Sequence, residues 1–423
     1  MIAGRALPPS VMAEVGKRPL GVYVHIPWCA HRCGYCDFNT YVPGHIAGVN
    51  PESTADILVA ELGRVSALLG GSRPTVSTVF FGGGTPTLLP ASDLNRILIE
   101  VATTFELDAA AEITIEANPE TVDVAKLRTL RSGGFNRLSL GMQSAVPAVL
   151  RSLERRHSPD GTSRAIEAAR TCGFEHVSVD LIYGTVGETA ADWMCSVRNA
   201  IDLGVGHVSA YGLKIEPGSK LAAARRAGAI VDPDPDRQAD SYLAADDALS
   251  SAGLHWYEIS NWSAPGSQCQ HNLGYWRGHD WFGFGPGAHS HVAGVRWWNR
   301  KHPDRWARQV SDGQLPVESG EALTAADRRL EAIMLGLRLA EGLVIPSDDL
   351  AAAQLAADLA SEGLVETHRG STEPDNPTRI VLTRRGRLLA DLVTLRLVEG
   401  LVEGLVAGLV QGRSDSGPAS ASL

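Results

Sequence analysis

Cys29, Cys33 and Cys36 stand in the spacing C-x3-C-x2-C directly after the apolar stretch 21–26. Clustered thiolates are soft ligands suited to iron–sulfur chemistry. A cubane has four irons, so three protein thiolates leave one iron open to a small chelating molecule. Zinc is the alternative on the same loop, with His25 or His31 completing a Cys3His set. Zinc motifs, however, arrive as two separated pairs, and the chain has no second C-x2-C. Disulfides are disfavoured because the other cysteines, Cys172, Cys195 and Cys269, are scattered singly and are expected as small buried apolar residues.

A second feature is Gly82-Gly-Gly-Thr-Pro-Thr87, placed at the end of a β-branched run. Glycines tolerate positive φ and let backbone groups approach a ligand, so such a loop can grip a polar small molecule. It is no dinucleotide fingerprint, since the third glycine of G-x-G-x-x-G falls on Thr87.

The elements that position these loops are legible as alternating runs. Candidate strands are 20–26, 76–81, 112–117, 136–140, 176–182 and 206–213, separated by apolar residues at helical spacing such as Ile57, Leu58, Leu62 and Val65. Six βα units predict an α/β fold, a partial TIM-like (β/α)6 barrel, with the cysteine loop on the rim after the first strand. Asp232-Pro-Asp-Pro-Asp236 breaks the pattern and leads into a helix over 237–252. Seven of nine tryptophans and six of thirteen histidines then crowd into 255–306. From 320, Leu330, Ile333, Met334 and Leu337 mark a one-faced helix; a helix over 347–361, a hairpin through 364–383 and a helix from 384 complete a small winged-helix-like α+β domain. The expected division is a flexible lead at 1–19, the barrel at 20–235, a Trp/His-rich extension at 236–317, the winged-helix-like domain at 318–395 and a flexible tail at 396–423. In that tail, Leu-Val-x-Gly repeats four times.

A net charge of −10, and a C-terminal domain without lysine, argue against a nucleic-acid partner. No apolar run approaches the roughly 20 residues of a bilayer span, although peripheral membrane contact stays open. The first nineteen residues carry Pro8-Pro9 and no continuous hydrophobic segment, so no targeting peptide is expected there; together with reduced cysteines this points to the cytoplasm.

The cysteine motif, with Tyr35 before its last member, resembles the radical S-adenosylmethionine superfamily. The flanks Tyr23-Val-His-Ile-Pro-Trp-Cys29 and Cys36-Asp-Phe38 are similar to the branch of oxygen-independent coproporphyrinogen III dehydrogenase and its relatives. The resemblance implies a 4Fe–4S cluster on Cys29, Cys33 and Cys36. It implies S-adenosylmethionine held by Tyr23, Tyr35, Gly83, Gly84, Thr85, Glu116, Gln143, Arg155 and Asp180. Relatives carry Leu-Pro where this chain has Gly184-Thr-Val-Gly187, which implies a changed loop and no lost ligand.

Within the branch, the dehydrogenases have a fourth cysteine where this chain has Phe38, whereas His271-Asn-Leu-Gly-Tyr-Trp276 and Gly283-Phe-Gly-Pro-Gly-Ala-His-Ser290 resemble the HemW-type haem chaperones. That resemblance implies binding of haem, with His271 as its axial ligand and Cys269 as an alternative, and delivery to an acceptor haemoprotein. A flat apolar disc does need aromatic walls and an imidazole. Oxidative decarboxylation of coproporphyrinogen is the alternative, with that activity not expected and cleavage of S-adenosylmethionine left open. A redox-sensing cluster protein without a porphyrin is the third reading.

Overall fold

The computed structural model describes residues 7–46, 48–346, 349–369 and 378–399. It divides into two compact units: 1–256, 260–275 and 279–324 form one, and 257–259, 276–278 and 325–423 the other.

The first unit is built on one sheet. Its strands are β1 (Leu20–Ile26), β2 (Thr75–Gly83), β3 (Glu106–Ala117), β4 (Arg137–Gln143), β5 (His176–Tyr183), β6 (His207–Gly212), β7 (His255–Glu258, of which 257 and 258 are counted with the second unit), β8 (Asn261–Ser263), β9 (Asp280–Phe284), β10 (His289–Val292), β11 (Val295–Asn299) and β12 (Val317–Ala322). They lie in the order β12-β11-β10-β9-β1-β2-β3-β4-β5-β6-β8-β7. Strands β1 to β6 pair in parallel in sequence order, as the alternating runs predict. The crossovers are helical because their apolar faces repeat at helical spacing and their starts are capped. Asn50 and Ser53 form a capping box at the head of the helix Pro51–Leu68, which buries Leu58, Leu62 and Val65 against the sheet core.

The sheet is open, since no pairing joins β6 back to β1 or β9 among the described residues. It is nevertheless strongly curved. Side chains from β2 to β6 line one cavity, whereas a flat sheet would hold those strands about 19 Å apart. The Trp/His-rich segment adds strands at both edges: β9 runs parallel beside β1, β10 to β12 continue antiparallel, and β8 pairs antiparallel with β6.

The second unit contains the helix Ala325–Gly336, the strands β13 (Leu343–Ile345), β14 (Val365–Arg369) and β15 (Thr378–Leu382) in the order β13-β15-β14, and the helix Leu350–Ser361. Ile333, Leu337, Leu359, Ile380, Val393 and Leu397 form its core. The expected hairpin is present, with a third strand from 343–345 added.

Two terminal expectations are corrected. The flexible lead through residue 19 gives way to a helix at Pro9–Glu14, because Leu7 and Val11 bury against the main core. The flexible tail expected from 396 does not hold for 396–399, since Leu397 is buried in a helical stretch over 390–399; residues 400–423, with the rest of the Leu-Val-x-Gly repeats, lie outside the described residues, as do 1–6. Among the other cysteines, Cys269 is buried, Cys172 is half-buried and Cys195 is exposed, so the expectation of burial fails for Cys195.

Candidate functional site

The cysteine loop follows β1 and is anchored by that strand's inward side chains. His25 Nε2 lies 3.0 Å from the Asn39 carbonyl and Nδ1 lies 3.0 Å from the Tyr23 hydroxyl. A carbonyl can only accept, so Nε2 carries the proton and Nδ1 accepts from Tyr23. Burial lowers the His25 pKa and keeps the ring neutral in this role. Cys29 N donates to Tyr41 O and Tyr41 N to Pro27 O, which pinches the loop at its base. Trp28 fixes that base from below, fully buried, with Nε1 donating to Thr54 Oγ1 at 2.7 Å.

The glycine run presses directly on this loop. Gly84 N donates to Ile26 O and Thr85 N to Trp28 O. A Cβ on Gly84 would lie 2.5 Å from Trp28 O, so only glycine permits the approach; Gly83, at φ +111°, would drive a Cβ to 2.5 Å from the His25 ring. Each thiol then meets a polar neighbour. Thr85 Oγ1 lies 4.0 Å from Cys29 Sγ, Thr40 Oγ1 lies 3.9 Å from Cys36 Sγ, and Arg155 Nη1 donates to Cys33 Sγ at 3.6 Å.

Burial, reinforced by the charge of Cys36, pushes the Cys29 thiol up to about 11. The thiolates that an iron site requires are therefore costly for the protein alone, and metal charge would offset that cost. Arg155 is the cation on hand. Its Nη2 is held by Asn118 Oδ1 and Gly141 O, while Nε is buried with no partner, an unsatisfied donor suited to an anionic group at the thiolate loop. Among the described residues no three His, Cys, Asp or Glu side chains converge as ligands of a single ion would. A cubane, which offers each thiolate its own iron, fits three thiols spread around a loop.

Beneath the loop lies a cavity of about 480 Å³, within the usual range of about 300–1,000 Å³ for small-molecule sites. Tyr35, Glu116, Gln143 and Asp180 line it together. Burial first, then the charge of Asp180, raises Glu116 to about 8, although Gly83 N donates to its carboxylate at 3.1 Å. Asp180, raised by burial, accepts from Ser139 at 3.3 Å. Two buried carboxylates that resist joint ionisation are matched by a ligand that brings positive charge and hydroxyl donors. Gln143 reaches the cavity from a left-handed backbone at φ 64°, beside a register shift between β4 and β5, which is strain located at a site. The Gly184–Gly187 loop lines a separate cavity of about 360 Å³ with Glu188 and Arg237, so the departure from relatives falls outside the acid pair's cavity.

A second cavity of about 360 Å³ adjoins the first and shares Glu116 and Phe38 with it. Tyr23, His25, Gly83, Tyr275, Trp281 and His289 complete its lining.

His271 lies elsewhere. The helix Gln270–Trp276 begins under the sheet, where Glu112 accepts from the backbone N–H groups of Gln270 and His271 at 3.1 and 3.0 Å. The His271 ring is 3% exposed, with Nδ1 2.8 Å from Thr78 Oγ1 and Nε2 2.9 Å from the Tyr275 hydroxyl. Gly21 leaves room for it, since a Cβ there would sit 3.3 Å from the imidazole. Burial lowers the ring to about 3. Both His271 nitrogens are engaged here and the ring lines neither cavity, so the axial role expected for it would require those two hydrogen bonds to be exchanged. Cys269 does line the larger cavity, with its thiol 3.5 Å from Glu112 Oε1.

Sequence reasoning named Asp180 but missed the other polar side chains of the strand interiors. Arg137, Ser139, Ser178, His207 and Ser209 line the larger cavity with it, and Arg137 pairs with Glu112 at 3.5 Å while 1% exposed. The signal was available: polar residues at alternate positions within Arg137-Leu-Ser-Leu-Gly141 and Ser178-Val-Asp180 place one wet face inside otherwise apolar strands.

Comparison with known proteins fits this geometry. Residues 23–198 match the Radical SAM superfamily. The chain is 45% identical over 387 residues to the heme chaperone HemW of Mycobacterium tuberculosis, covering 92% of this chain and 97% of that one. It is 36% identical over 329 residues to the heme chaperone HemW of Escherichia coli, covering 76% and 83%. Among solved structures, coproporphyrinogen III oxidase (HemN) of Escherichia coli, a radical SAM enzyme, superposes with a TM-score of 0.77 at 26% identity over 92% of each chain.

Proposed function

This chain belongs to the HemW family of radical S-adenosylmethionine proteins, and from that premise we propose how its residues serve a haem chaperone. The protein holds a 4Fe–4S cluster and S-adenosylmethionine and binds haem. Cys29, Cys33 and Cys36 would hold the cluster, which would supply iron with an open coordination position to bind S-adenosylmethionine. Gly83, Gly84 and Thr85 bring their backbone against the cysteine loop and bind the methionyl end. Glu116 and Asp180 face the sulfonium and the ribose hydroxyls, Gln143 and Tyr35 orient the nucleoside, and Arg155 balances the thiolate charge. Tyr23 holds His25 in the tautomer that anchors the loop.

The observation that carries the chaperone reading over the dehydrogenase reading is Phe38. It occupies the position of the dehydrogenases' fourth cysteine, is 61% exposed, and lines both cavities. An exposed aromatic ring at the junction favours a flat apolar ligand over a further thiolate.

Haem passes from the protein to an acceptor haemoprotein. The described residues include no helix long and apolar enough to cross a membrane. Its cysteines are all unpaired, which suits a reducing compartment such as the cytoplasm. Anaerobically reconstituted protein is expected to bind one haem per chain with a Soret band, and to lose that band to an added apo-haemoprotein. Incubation with coproporphyrinogen III, reductant and S-adenosylmethionine is expected to yield no vinyl product; vinyl formation would establish the dehydrogenase instead.

A further inference from the structure

The turn from β9 to β10 carries Gly283-Phe-Gly-Pro-Gly-Ala-His289, a motif to which neither the cluster nor the acid pair gives a role. Two glycines press it onto the cysteine loop. Gly285, at φ +98°, would place a Cβ 2.4 Å from His25 O, and Gly287, at φ +75°, would place one 2.7 Å from Asn39 Nδ2. Asn39 Nδ2 donates to Pro286 O at 2.9 Å and to Lys301 O at 2.8 Å, so the turn is tied to the loop that carries the cysteines.

His289 ends this turn as the first residue of β10 and lines the smaller cavity together with Tyr23 and His25. Its ring is exposed, stacks on Trp298 across the β10–β11 pair at 5.7 Å and 24°, and among the described residues has no hydrogen bond at either nitrogen. The other cavity-lining histidine, His25, has both nitrogens in use. Burial, then the charges of Lys301 and Arg296, lower the His289 pKa, which leaves the metal-binding neutral imidazole at physiological pH. Phe38, Tyr275 and Trp281 supply aromatic wall around the same space, and Trp281 is fixed by donating Nε1 to the His289 carbonyl at 2.9 Å. Lys301 and Arg296 supply cations for carboxylates, with Arg296 also paired to Glu321.

We propose that His289 is the axial ligand to the haem iron, with the disc edge inserted between Phe38, Tyr275 and Trp281 and its propionates turned toward Lys301 and Arg296. The proposal rests on the haem-chaperone reading. Coordination uses the lone pair of a neutral imidazole, so no proton is released and nothing is oxidised. The HNxxYW histidine, by contrast, holds the underside of the sheet together.

The test is titration of ferric haem into the cluster-reconstituted full chain and its His289→Ala, His289→Met and His271→Ala variants, read by Soret position and by electron paramagnetic resonance of the ferric haem. Far-ultraviolet dichroism and cluster absorbance verify folding. His289→Ala is expected to weaken haem binding at least tenfold and lose the histidine-ligated spectrum, which millimolar free imidazole restores; His289→Met is expected to give a distinct thioether-ligated spectrum. His271→Ala, where folded, is expected to keep the wild-type spectrum. Wild-type spectra in folded His289→Ala or His289→Met would overturn the proposal and leave the chaperone reading intact. Failure of the wild-type chain to bind haem would overturn both.

Discussion

The rim and the floor of the curved sheet are built from the same residue types to opposite ends. On the floor, Thr78 and Tyr275 hold both ring nitrogens of the buried His271, and Glu112 accepts from two helix N–H groups and pairs with Arg137, which keeps only Nη2 buried without a partner where it lines the larger cavity. On the rim, Arg155 keeps a buried unpaired Nε, the Cys29 thiol resists ionisation, and His289 has both ring nitrogens open. A satisfied network fixes a core, whereas unmet groups facing a cavity need a ligand to complete them. Residue type alone therefore does not separate structure from site; the open groups, Arg137 Nη2 among them, fall where a side chain meets a cavity or the cysteine loop.

The comparison breaks most visibly at the cysteines. Cys33→Ser, on the rim, is expected to abolish the broad iron–sulfur absorbance of reconstituted protein, while Cys269→Ser, on the floor, leaves it intact; equal loss in both would erase the distinction. Next in size is Glu112→Ala. It strips a carboxylate from Arg137, which is 1% exposed, and from two helix N–H groups. Breaking a buried pair from one side costs about 3–5 kcal/mol, measurable by urea unfolding. His271→Ala removes a buried ring and two hydrogen bonds, for about 2–4 kcal/mol in the same measurement. Its loss and that of Glu112 should be non-additive, since both secure the start of one helix.

The parallel half of this architecture was legible in the sequence. The runs at 20–26 and 176–182 coincide with β1 and β5 to within a residue, the first because it is apolar almost throughout and the second because apolar residues alternate with the polar ones that line the cavity. The strands β9 to β12 were not legible. They are short, rich in tryptophan and histidine, and interrupted by Gly283, where a Cβ would lie 2.2 Å from His289 O; their pattern is set by neighbours distant in sequence. The cysteine loop was legible because its spacing is itself the chemistry. Glu116, Gln143, Arg155 and Asp180 came only through family resemblance, and the axial role expected of His271 did not foresee that both its nitrogens are engaged. A cluster of histidines along the chain says nothing of which nitrogens the fold will occupy, and that depended on Thr78, nearly two hundred residues away.

The smallest effect expected separates rim from floor by pH. Glu116 titrates near 8 in the folded protein against an ordinary 4.5, because burial and Asp180 disfavour its charge. A raised carboxyl pKa means that the folded state holds its proton while the unfolded chain has released it. The group is neutral to stability below pH 4.5 and costs stability progressively as pH rises toward 8. A sulfonium beside Glu116 favours the ionised form, so its binding expels that proton over the same window. Affinity for S-adenosylmethionine is accordingly expected to rise with pH up to about 8, by about fivefold for one charge pair worth about 1 kcal/mol. Calorimetry in buffers of different ionisation enthalpy would register the released proton, and Glu116→Gln should flatten the profile. His271 lies on the floor and stays neutral down to about pH 3, so it cannot produce this dependence. A profile that survives Glu116→Gln would mean that the rim's unmet charge lies elsewhere, with Asp180 the next group to test.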